Sequence, residues 1–224
     1  MYMKFRYFKI VVTGLFITMC NAANAGLLLV EQYDNYWSAD VNQLISYANN
    51  NNASTSSFWE VIDFTDDPAG FAGQIPGSNP WPSANGLTLG NSHPINSTFF
   101  ARITGDFYTN TAETYFFQTY NDDGVFVYID GELVINDPNL HGEARFEGSK
   151  LLGVGSHSIE LYFFENTGEA SLEFTVADSS RVFTHFNDPL GSTTLVTDVP
   201  EPTTLAIFAL GLMGLASRRF NKQS

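Results

Sequence analysis

Cysteine is almost missing from this chain: its 224 residues contain one, Cys20, inside an apolar run near the N-terminus. With no second cysteine there is no intrachain disulfide and no cysteine-ligated zinc site, and once that run is removed there is no thiol nucleophile. Basic residues are nearly as scarce. Lys and Arg total ten against twenty-four Asp and Glu, and Lys4, Arg6, Lys9, Arg218, Arg219 and Lys222 lie in the two ends. Between Gly26 and Val199 only Arg102, Arg145, Lys150 and Arg181 remain, against twenty-three acidic residues, since Glu201 alone falls outside. Such a surface repels phosphate and attracts cations, which excludes nucleic acid as a partner and makes a divalent metal a natural one. The four histidines (His93, His141, His157 and His185) have no short ligand spacing, which favours loop histidines over a zinc site.

What is present is patterned. Met1 to Ala25 joins a basic start, an apolar core from Ile10 to Met19 and Ala23-Asn24-Ala25 before Gly26, the three-part layout of a cleaved secretory signal. Gly26 to Tyr33 reads as an opening strand. Ala39 to Ala48, with Val41, Leu44, Ile45 and Ala48 at helical spacing, reads as one short helix, and Phe58 to Phe64 as another strand. The Gly/Pro/Asn/Ser-rich stretch from Asp66 to Ser97 is expected to be a long loop system.

From Phe99 onward the apolar period is two. Short strands are expected over Thr98 to Tyr108, Thr114 to Tyr120, Val125 to Ile129, Leu133 to Ile135, Ala144 to Leu152, Ser158 to Phe164 and Ala170 to Val176. Val125, Val127 and Ile129 should share one face, as should Ile159, Leu161 and Phe163, and Leu172, Phe174 and Val176, giving the core stripes of an all-β antiparallel sandwich or barrel. At least one of Trp37, Trp59 and Trp81 is expected in this core, the others being candidate sugar-stacking platforms. Asp63, Asp66 and Asp67 read either as a second acidic patch or as a polar loop.

The stretch Asn121 to Asp137 concentrates the chemistry. Asp130-Gly131 between alternating apolar residues is a hairpin-turn signal, and Asp122-Asp123 is expected at the tip of an adjoining hairpin. The second turn is explained by backbone geometry, whereas the first carries one carboxylate more than a turn requires. At the far end, Val199-Pro200-Glu201-Pro202 precedes Leu205 to Ala216, an apolar run followed by Arg218 and Arg219. Even with Thr203, Thr204 and Ser217 added, a separate C-terminal helix here would cover about 22 Å at about 1.5 Å per residue, against a hydrocarbon core of about 30 Å. That suits transient rather than permanent residence in an inner membrane, with the arginines on the cytoplasmic side.

Two resemblances follow from these residues. Pro200-Glu201-Pro202, the apolar run 205–216 and the basic tail look like the PEP-CTERM sorting signal of Gram-negative bacteria that make exopolysaccharide, which implies processing by the membrane peptidase exosortase. The middle resembles the protective-antigen (PA-fourteen) β-sandwich domain of toxins, glycosidases and adhesins. It does so through Gly26-Leu27-Leu28, Phe100 to Gly105, Tyr115-Phe116-Phe117, Asn121 to Gly124, Val127 to Gly131, Gly155 to Leu161 and Phe163 to Asn166. The related fibro-slime domain shares the Asp-Asp and Ile-Asp-Gly elements.

The resemblance implies a layout of signal peptide 1–25, PA-fourteen-like sandwich 26–190, linker 191–199 and sorting signal 200–224. In calcium-dependent lectin members of that family two consecutive aspartates joined by a cis peptide and a later asparagine bind Ca²⁺. Carried over, these fall on Asp122, Asp123 and Asn166; turn residues alone are the alternative reading of the same positions. The implied function is an exported, surface or matrix-associated, non-enzymatic glycan-binding module. A structural exopolysaccharide-matrix protein is the second reading and a glycoside hydrolase the third.

Overall fold

The computed structural model describes residues 26–66, 72–82 and 98–196. Two β-sheets face each other. Strands β1 (Leu28–Asp34), β2 (Thr55–Trp59), β5 (Phe99–Thr109), β7 (Gly124–Ile129), β8 (Glu132–Asp137), β10 (Gly155–Glu165) and β12 (Thr193–Val196) form the first, in the order β2-β1-β5-β10-β7-β8, with β12 also paired to β5. Strands β3 (Asp63–Thr65), β4 (Asn79–Pro80), β6 (Glu113–Asp122), β9 (Ala144–Leu152) and β11 (Ser171–Ala177) form the second, in the order β4-β3-β11-β6-β9. Every pairing is antiparallel except the two-residue β3–β4 contact.

The period-two stripes meet between the sheets. Val125, Val127 and Ile129, Ile159, Leu161 and Phe163, and Leu172, Phe174 and Val176 all belong to one buried cluster with Phe64, Phe99, Phe107 and Phe117. Because successive strand residues point to opposite faces, the residues between them on the first sheet (Phe100, Phe126, Tyr162 and Phe164) form a second cluster on its outer face. The helix α1 (Val41–Asn50) covers that cluster, burying Leu44 and Ala48. It begins where Asp40 accepts a hydrogen bond from Asn42 N–H, the N-cap geometry that satisfies a free helix donor.

Four expectations are corrected. Phe58 to Phe64 is not one strand: Glu60 to Ile62 turns the chain from β2 in the first sheet to β3 in the second. Asp122-Asp123 is not a hairpin tip, since β6 and β7 lie in different sheets and the chain crosses between them there. The loop system of 66–97 contains β4 and Trp81, which is 1% exposed and stacks on Phe163 with 4.7 Å between ring centroids. Asp130-Gly131 does close the β7–β8 hairpin, both residues taking the positive φ (51° and 72°) that a type I′ turn needs. Thr193–Val196, within the stretch expected as linker, forms β12. Among the described residues no helix is long and apolar enough to cross a membrane; the apolar run 205–216, with Pro200, Glu201, Pro202, Arg218 and Arg219, lies outside the described residues.

Candidate metal centre

The crossing from β6 to β7 brings the sequence-predicted aspartates to one end of the inter-sheet core. Asp122 and Asp123 are joined by a cis peptide bond. Asp123 is 5% exposed, and both its carboxylate oxygens accept backbone N–H groups at 2.9 Å: Oδ1 from His141, Oδ2 from Asn166. Asn166 thus reaches the pair through its backbone, and its carbonyl accepts from the Thr98 hydroxyl at 2.5 Å. Below the crossing, Asn121 Nδ2 donates to the Asp123 carbonyl at 2.6 Å and to Asp137 Oδ2 at 2.8 Å, while Asp137 Oδ2 also meets His141 Nε2 at 2.7 Å. One buried amide thus ties the Asp123 carbonyl to the Asp137 carboxylate, which in turn holds His141.

Gly124 is required by close approach. A Cβ there would lie 2.3 Å from the Phe164 ring and 2.6 Å from the Asp137 carbonyl, and the second contact is backbone. Gly124→Ala is therefore expected to destabilise the domain by about 1–3 kcal/mol, the usual cost of overpacking, measured as a lower urea midpoint at unchanged slope.

Glu165 is the residue that sequence reasoning missed. The alternation Ile159, Leu161, Phe163 continues to Glu165, so this carboxylate shares the core face, and it is fully buried. Neither of its oxygens has a hydrogen-bond partner of ordinary geometry. Asp122, Asp123 and Glu165 each present an oxygen within 4.8 Å of the others. Burial pushes the Glu165 carboxyl up to about 9, helped by the charges of Asp123, Asp122 and Asp66 and opposed by the Asp123 backbone N–H. Burial likewise raises Asp122 to about 7, with Asp123 adding and His141 opposing. Burial works against the His141 imidazolium, yet its bonds to Asp137 and the Gly142 carbonyl, with the nearby carboxylates, hold its pKa above the ordinary value. Strand parity was the available signal for Glu165; as a charged residue closing an apolar run it reads instead as a solvated strand end.

The donor set fits a hard dication. Three carboxylates crowded in a low-dielectric pocket are a cost that protonation or a bound cation removes. Asp66 borders the cluster, its Oδ1 accepting from Ala170 N–H at 2.6 Å, while Asp67 and His93 lie outside the described residues. Trp81 is the core tryptophan, while the half-buried Trp59 packs against that core and the half-buried Trp37 stacks on Phe164.

A two-sheet sandwich with an acidic cluster where the chain crosses between sheets defines the class of protein. Residues 50–183 match the PA14 domain, more than half of the chain, so it belongs to the PA14 domain family. Residues 198–219 match the PEP-CTERM protein-sorting motif. Among solved structures, the PA14 sugar-binding domain from an RTX adhesin is similar at 22% identity and a TM-score of 0.54, over 72% of this chain and 95% of that one. The PA14 domain of the MpAFP antifreeze protein is similar at 17% identity and a TM-score of 0.53, over 72% and 86%. No curated protein matches the chain.

Proposed function

We propose that the chain is an exported, non-enzymatic carbohydrate-binding module of the adhesin or lectin type, in which Asp122, Asp123, Glu165 and Asn166 hold Ca²⁺. Its ligand is a glycan or exopolysaccharide, and exosortase processes its C-terminal motif on the way to the envelope or matrix. The observation that carries this reading is the fully buried Glu165 carboxylate, with only the Asp123 backbone N–H near it, facing the aspartate pair. Calcium takes six to eight hard oxygens, and when bound it offers open coordination positions that a sugar's vicinal hydroxyls can fill. The protein's part is to fix the carboxylates: the Asn121 amide and the His141 and Asn166 N–H groups orient Asp123, and the close contact at Gly124 sets the crossing.

The sugar-binding PA14 domain of the RTX adhesin supports the ligand class. A glycan array with the purified protein, in calcium and in EDTA, tests the reading. Retention of particular sugars is expected in calcium only, with at least a tenfold loss in Asp123→Ala. Sugar binding indifferent to EDTA removes the metal from the account, and a blank array with folded protein favours the structural-matrix function.

A further inference from the structure

A second set of ligand atoms converges on the outer face of the β4-β3-β11-β6-β9 sheet. Asp63 and Glu173 stand opposite each other in the β3–β11 register. Since the neighbouring Phe64 and Leu172 face the core, alternation sends both carboxylates to the other side. They are not solvated there. Asp63 is 2% and Glu173 1% exposed, beneath a strap in which Gln74 and Ile75 N–H groups donate to Glu173 Oε2 at 3.0 and 2.6 Å.

His185 arrives from a third, distant part of the chain. Thr184 bridges to Val176 of β11 and Phe186 enters the core, which directs the ring between them outward, with Nε2 3.8 Å from Asp63 Oδ2. The three residues offer ligand atoms that all lie within 4.8 Å of one another. Asp63 Oδ1 and His185 Nδ1 are buried without a hydrogen-bond partner of ordinary geometry, although the Ser78 hydroxyl serves the Asp63 carboxyl, Glu143 stands near it, and the Phe174 backbone reaches the His185 ring. Burial holds the His185 imidazole in its neutral, lone-pair form. Buried polar atoms are normally paired, and leaving them unpaired is costly.

We infer that Asp63, Glu173 and His185 form a second metal site, for a transition-metal dication of the Zn²⁺ class. One imidazole nitrogen and two carboxylates are a donor set that zinc-class ions accept, with a fourth position left for water, whereas calcium takes oxygen only. The site shares no residue with the Asp122 cluster. A metal there ties the 72–78 strap and the chain after β11 to the middle of the sheet, joining three segments that backbone pairing connects only at their margins.

Isothermal titration of Zn²⁺ into the full chain, in excess calcium, tests this. One equivalent should bind, at least tenfold more weakly in His185→Gln, and undiminished in the Asp122→Asn/Asp123→Asn double variant. Binding that survives His185→Gln, or that disappears with the aspartate pair, overturns the site. Should His185→Gln fail to fold, wild-type protein with Co²⁺ decides: a visible ligand-field band displaced by Zn²⁺ upholds the proposal, and its absence ends it.

Discussion

Calcium at about a hundred times its dissociation constant should raise the melting temperature by roughly 5–10 °C, because ligand binding then stabilises the native state by about 2.7 kcal/mol and a domain of this size moves about 2–4 °C per kcal/mol. The effect should grow with pH. In the metal-free protein Glu165 and Asp122 carry raised values, about 9 and about 7 against ordinary values of 4.5 and 3.8. A group whose folded pKa is raised contributes stability that is complete below its unfolded value and is lost as pH climbs through the folded one. Metal-free stability should therefore decline from about pH 4 through 7 and on to 9. Calcium, which favours the ionised forms, should recover more of it at pH 8.5 than at pH 6.

Glu165→Gln makes the test specific to the missed residue. The neutral isostere needs no proton, so the metal-free variant should be at least as stable as wild type at pH 8.5 and should have a flatter pH profile above 7. It should also lose most of the calcium-induced rise. Differential scanning calorimetry across pH, with and without calcium, reads both. A variant that keeps the full calcium response would remove Glu165 from the ligand set.

The second large effect is expected at Trp81. Its ring stacks on Phe163, meets Phe64 and Phe99 with centroids 5.1 and 5.0 Å away, and its Nε1–H donates to the Ala170 carbonyl at 3.0 Å. Trp81→Ala should cost about 3–5 kcal/mol through cavity formation, a fall of roughly 6–20 °C in melting temperature. Ala170 also exchanges hydrogen bonds with Asp66, one in each direction, so it anchors the chain just after Asn166. Calcium affinity should drop with stability in this variant. Trp81→Phe, which keeps much of the ring packing but not the donor, should show a smaller stability loss with a comparable affinity loss if the Ala170 bond is what steadies that loop.

Most of the strands are legible locally, whereas Trp81 owes its burial to distant segments. Periodicity located most of the strands and the core face because burial on one side imposes a period of two that no distant residue alters. The Asp130-Gly131 hairpin was legible for a similarly local reason, the need for positive φ. The Phe58 to Phe64 stretch misled because its apolar residues satisfy a strand pattern while the partners that split it, β1 on one side and β11 on the other, lie elsewhere in the chain. Asp122-Asp123 was recognisable as a pair, but a turn within one sheet and a crossing between two use the same residue types. Trp81 sits among loop residues and is core only because β3, β10 and the 166–170 segment close around it. The Asp63, Glu173 and His185 group draws on three segments with no common spacing, and only the folded chain brings them into reach.

The pairing of β12 gives the molecule a direction. Gly26 N–H donates to the Leu195 carbonyl, and Val196 stands opposite Asp106, whereas Glu165 stands opposite Phe99 at the other extreme of β5. At about 3.3 Å per strand residue that is roughly 23 Å along one strand. Gly26 and Val196 both lie alongside the half of β5 away from the acidic cluster, with β12 running from Thr109 toward Asp106. A tether from Val196 to any surface would grip the sandwich partway along β5 and leave the acidic cluster roughly 23 Å away, toward the Phe99 end.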